Sequence, residues 1–90
     1  MANYKLYRDG EITFTLQAPD NATIAIVSVK STNSHYQAYL SDLRNHAFKK
    51  PVLIYHGQDK KLAITAAQGV ARYFARSLDS NFEDKTEIEP

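Results

Sequence analysis

The sequence predicts an α+β fold: a two-layer sandwich with a mostly antiparallel five-stranded sheet, in the order β-β-β-α-β-β-α, and both helices on one face. Three observations predict it. Asp9-Gly10 sits between two alternating runs, a strong short-range hairpin cue. The run Ala22 to Val29 is apolar on both faces, as in a central strand. Thr65-Ala-Ala-Gln68 matches a capping box, and Ala67, Val70, Ala71, Phe74 and Leu78 follow at helical spacing.

Asn3 to Arg8 and Glu11 to Leu16 form the first hairpin. A three-residue loop with Gly10 left-handed pairs Leu6 with Ile12 and Tyr7 with Glu11. That register gathers Tyr4, Leu6, Ile12, Phe14 and Leu16 on one face. Ala18-Pro-Asp-Asn21 is a turn with proline at its second position. After the central strand, Ser34-His-Tyr-Gln37 repeats the capping box, and Tyr36, Tyr39, Leu40, Leu43 and Ala47 continue at helical spacing. This predicts a first helix over 35–48, closed by Lys49-Lys50 and Pro51. Pro51 to His56 and Lys61 to Thr65 read as a second hairpin around Gly57-Gln-Asp-Lys60, and the last helix starts at Ala66. Gly69 inside that helix suggests a close approach by another backbone. Residues 1–79 make one α+β domain, and residues 80–90 are an acidic, flexible C-terminal end.

Ninety residues suffice for one modest core. There is no cysteine, hence no disulfide framework or thiolate chemistry, which fits the cytoplasm. No apolar run approaches the roughly twenty residues that span a bilayer, so no membrane partner is expected. Net charge is +1 but uneven. Residues 1–43 carry −1, residues 44–76 carry seven basic side chains against Asp59, and residues 77–90 carry −4.

His35, His46 and His56 show no metal-ligand spacing, and the carboxylates are scattered, so no metal is expected. No nucleophile elbow or glycine-rich phosphate loop occurs, and no cofactor or enzymatic activity is implied. Tyr55-His56 before Gly57 is the one small site at a strand end that chemistry could use. Two surfaces stand out. Tyr7, Tyr36, Tyr39 and Tyr73 suit a protein interface, because tyrosine offers apolar area with one hydrogen-bonding tip. Lys49, Lys50, Lys60, Lys61, Arg72 and Arg76 would attract phosphates if the fold gathers them.

The expected function is therefore that of a small non-enzymatic interaction protein, an adaptor, inhibitor or regulatory subunit of a size common in bacterial and phage genomes. It docks on a protein partner, with a homodimer through a free sheet edge as one arrangement. The alternative is a nucleic-acid-binding module using the basic residues of 44–76.

Overall fold

Alternation of side chains decides most of the architecture. A computed structural model of the protein describes residues 3–44 and 50–86. Among these residues the chain forms β1 (Lys5–Asp9), β2 (Thr13–Gln17), β3 (Thr23–Thr32), β4 (His35–Asp42), β5 (Val52–Gly57), α1 (Lys60–Leu78) and β6 (Glu83–Lys85). They build one six-stranded sheet in the order β5-β4-β3-β2-β1-β6. Neighbours are antiparallel except β1 and β6, which are parallel. The helix leaves β5 at one edge and returns the chain to β6 at the other, so it lies across the sheet.

The class is α+β as expected, but one helix and six strands replace two helices and five strands. The predicted helix over 35–48 is overturned within residues 35–42, which form β4, while residues 45–49 lie outside the described residues. Tyr36, Ala38 and Leu40 occur at period two just as Tyr36, Tyr39 and Leu40 occur at helical spacing, and period two wins because a tight turn precedes them. Asn33 and Ser34 take φ of 45° and 69°, and Thr32 pairs with His35. Two left-handed residues between paired strands make a two-residue hairpin turn whose twist suits the flanking strands. β-branched and aromatic residues then favour the pleated surface on both sides.

The second predicted hairpin is also corrected. Lys61 to Thr65 is the start of α1, not a strand, and the cap is Asp59 rather than Thr65. The Asp59 carboxylate accepts from the amides of Lys61 at 2.9 Å and Leu62 at 3.2 Å, satisfying two donors that a helix start leaves unpaired.

In the first hairpin the loop has three residues and Gly10 is left-handed with φ of 65°, both as expected. The register differs: Leu6 faces Leu16 and Tyr7 faces Thr15, so Ile12 belongs to the loop. A shift by an even number keeps side chains on their faces, so Leu6, Phe14 and Leu16 still share one side. Pro19 bends the chain as expected, with the Asn21 amide donating to the Ala18 carbonyl at 2.8 Å. The Asp20 carboxylate accepts from the Ala22 amide at 3.1 Å.

Leu6, Phe14, Leu16, Ala25, Val27, Val29 and Ala38 form the buried sheet face. Against them α1 sets Ala63, Ala67, Ala71 and Ala75, one every four residues. A stripe of methyl groups lets the helix sit close to the sheet, while half-buried Ile64, Phe74 and Leu78 fill its flanks. Each large apolar side chain buried here contributes about 1.5–3 kcal/mol. Gly69 has nothing within 4 Å of where a Cβ would stand, so the expected close approach by the sheet is absent. Residues 83–85, expected within a flexible end, pair with β1 as the outermost strand.

Candidate binding face

With one helix on one side, the opposite side of the sheet is uncovered by any described element, and strand register states which residues it displays. Lys85, Tyr7, Thr15, Ile26 and Ser41 form one row across it. Asp9, Thr13, Ser28, Tyr39 and Leu53 form the next. Lys30, Gln37 and His56 form a third, with His35 beyond. The face is hydroxyl-rich, with few apolar groups and several lysines. Its residues follow from the alternation that buries the helix side. On β3, Ala25, Val27 and Val29 point inward, which leaves Ile26, Ser28 and Lys30 outward.

A concavity of about 590 Å³ opens on this face, lined by Ser28, Lys30, Tyr39, Ser41, Lys50 and Pro51. The Lys30 ammonium lies 5.8 Å from the centre of the Tyr39 ring, a cation–π distance. The Tyr39 hydroxyl donates to the Gln37 carbonyl oxygen of the side chain at 2.9 Å. These contacts give Lys30 and Tyr39 a defined geometry before any ligand arrives.

His35 and His56 stack with ring centres 5.3 Å apart and planes 9° from parallel, and His35 Nδ1 lies 3.1 Å from the Asn33 carbonyl oxygen. The suggested Tyr55-His56 site does not assemble. Tyr55 pairs with Ala38 and turns to the helix side, whereas His56 pairs with Gln37 on the open side. The Tyr55 hydroxyl instead reaches back over Gly57 towards the Asp59 carbonyl at 3.4 Å. Among the described residues no three His, Asp or Glu side chains are grouped to hold a metal ion.

The four tyrosines do not form one surface. Tyr7 and Tyr39 share the open face, Tyr36 packs beside the core on the helix side, and Tyr73 is 75% exposed on α1. The six basic residues are equally dispersed. Lys49 lies outside the described residues, Lys50 borders the open-face concavity, and Lys60 pairs with Glu11 at 3.1 Å. Lys61 and Arg76 are exposed on α1, and the helical rise separates them by about 22 Å. Arg72 is held by the end of the chain: its Nε is 2.6 Å from the Asp84 carboxylate and its Nη2 donates to the Thr86 hydroxyl at 3.0 Å.

That contact set locks β6 to the helix. Thr86 is fully buried, donates its hydroxyl to Asp84 at 2.6 Å and accepts from the Gln68 amide at 3.0 Å. Burial alone would push the Asp84 carboxyl up. The Thr86 hydroxyl and amide and the Arg72 charge outweigh it and hold the group below its usual range. Sequence reasoning missed this latch, and it missed Ser28, Lys30 and Ser41. The polar parity of β3 and β4 was the signal available for the latter three.

The described residues thus define an α+β domain in which a single helix covers one side of a six-stranded mixed sheet. Comparison of the chain with protein-family models, with curated proteins and with solved structures finds no match. No helix among the described residues is long and apolar enough to cross a membrane.

Proposed function

We propose that this is a small non-enzymatic interaction protein of the cytoplasm, an adaptor, inhibitor or regulatory subunit, which docks on a protein partner through the open sheet face. The observation that carries the reading is that face itself. It spans six strands and mixes Ile26, Tyr7 and Tyr39 with short hydroxyl side chains. Tyrosine and isolated apolar groups in a hydrogen-bonding surround suit the make-up of protein interfaces. Tyr36 and Tyr73 fall outside this surface.

Nucleic acid is the second reading, favoured by Lys30 and Lys50 on the same face. Of the described aromatic side chains on this face, Tyr39 has Lys30 over its ring and the two histidines stack on each other, so only Tyr7 is left as a stacking platform.

Quantitative affinity capture from the native host tests the reading, with Ile26→Asp and Thr15→Arg on the open face and Tyr73→Ser on the helix as the control. The expected result is a protein retained by the wild type and by the control but lost by both open-face variants, each folded by circular dichroism. Equal capture by all four proteins sinks the reading, and loss of the captured material on nuclease treatment transfers it to nucleic acid.

A further inference from the structure

The concavity on the open face brings two lysines together. Among the described residues its lining has two ammonium groups, two serine hydroxyls and the Tyr39 ring, and no carboxylate. The other basic side chains with partners are satisfied within the fold: Arg44 by Asp42, Lys60 by Glu11 and Arg72 by Asp84. Lys30 and Lys50 form no ion pair with a described carboxylate. Two uncompensated ammonium groups beside hydroxyl donors make a place for an anion. Their combined positive potential in a concave setting attracts one.

We infer that this concavity seats an acidic, extended segment of a partner protein, with the carboxylates of Asp or Glu against Lys30 and Lys50 and within reach of the Ser28 and Ser41 hydroxyls. This rests on the protein-docking reading above. Three features select the occupant. The lining supplies point charges and no guanidinium fork, so it asks for negative charge without the planar bidentate geometry that arginine reads. The Tyr39 ring is occupied by Lys30 at 5.8 Å and its hydroxyl is engaged by Gln37, so it offers no platform for a base. The volume of about 590 Å³ admits several side chains of an extended segment rather than a lone ion. Lys30 is already positioned by the ring, which lowers the ordering cost of binding.

The test uses the full chain, labelled with ¹⁵N and titrated at low ionic strength with a capped hexaglutamate peptide and, separately, with a ten-nucleotide oligothymidylate. Amide shifts centred on Ser28, Lys30, Tyr39, Ser41 and Lys50 are expected with the peptide. The double variant K30Q/K50Q should bind it about tenfold more weakly, as removal of two modest charge contacts implies, and K30E/K50E more weakly still. K61E, on the helix side, should bind as the wild type does, and unchanged melting temperatures show that all variants fold. The inference is overturned by shifts centred on Lys61 and Arg76, by equal weakening in K61E, by no binding of the peptide, or by tighter binding of the oligonucleotide. A silent peptide combined with capture that still depends on Ile26 removes this inference alone. Capture indifferent to Ile26 removes the docking reading, whatever the peptide does.

Discussion

Gly69→Ala should make this protein more stable. Gly69 lies at the tenth of nineteen positions of α1, on its exposed side, and a Cβ added there meets nothing within 4 Å. The substitution therefore introduces no clash. It removes the extra backbone freedom that glycine keeps in the unfolded chain and improves intrinsic helix propensity. The two descriptions cover the same effect, worth about 0.8–1 kcal/mol in a helix interior. For a domain of this size 1 kcal/mol shifts the melting temperature by about 4–8 °C. Thermal unfolding followed by circular dichroism at 222 nm, or by calorimetry, measures it directly. An unchanged or lowered melting temperature would refute the reasoning, because the exposed, unobstructed setting of Gly69 leaves no steric term to offset the propensity gain.

Ser34→Gly should also stabilise. Ser34 holds φ of 69° in the turn between β3 and β4, a conformation that costs a non-glycine residue about 1 kcal/mol, and Asn-Gly is the pair this turn prefers. A denaturant midpoint that falls in this variant would contradict the turn assignment. The Asp84 latch predicts a pH dependence. Asp84 titrates below its ordinary value when folded, so its stabilising contribution is fully present above the unfolded carboxylate value of about 3.9 and is lost as pH falls below it. Hydrogen exchange of the Glu83 amide, which donates to the Tyr4 carbonyl at 2.8 Å, should lose protection in that range before the β2 and β3 amides do. Asp84→Asn should abolish this pH-dependent step, and exchange that is insensitive to both changes would show that the latch does not hold β6.

Much of the strand pattern was legible because it rests on short-range cues. Asp9-Gly10, Pro19 and the run through Val27 place the first three strands, and they do so because turn conformation and alternation act over only a few residues. The helix side of β1 and β2 was readable even though the pairing was four residues out, since side-chain direction has period two. Residues 35–42 and 60–65 were misread because each supports two periodicities. Tyr36, Tyr39 and Leu40 fit a helix, Tyr36, Ala38 and Leu40 fit a strand, and the left-handed turn at Asn33 and Ser34 together with the pairing of β4 between β3 and β5 makes the second choice better. Lys61 to Thr65 alternates like a strand, yet Asp59 caps a helix and Ala63 begins the four-residue stripe.

The site was less legible than the fold. Tyr7 and Tyr39 were singled out for their chemistry, but their shared face depends on strand order across four strands, which no local signal encodes. Lys30 lay outside the basic segment 44–76 and joins Lys50 only because β3, β4 and the start of β5 are neighbours. Arg72 counted as a surface cation until residues 83–86, the chain's acidic end, returned to the sheet edge and paired with it.

The amino-acid order by itself determined an α+β chain, the turns at Gly10 and Pro19, and which residues of the first three strands turn inward. These depend on backbone sterics and on neighbours close in the chain. Tertiary structure decided that residues 35–42 extend rather than coil, that β6 adds to the sheet edge, and that no described element covers the face carrying Lys30 and Lys50. Those outcomes depend on apolar burial and charge pairing between segments far apart in the chain, and such energies exist only once the segments have met.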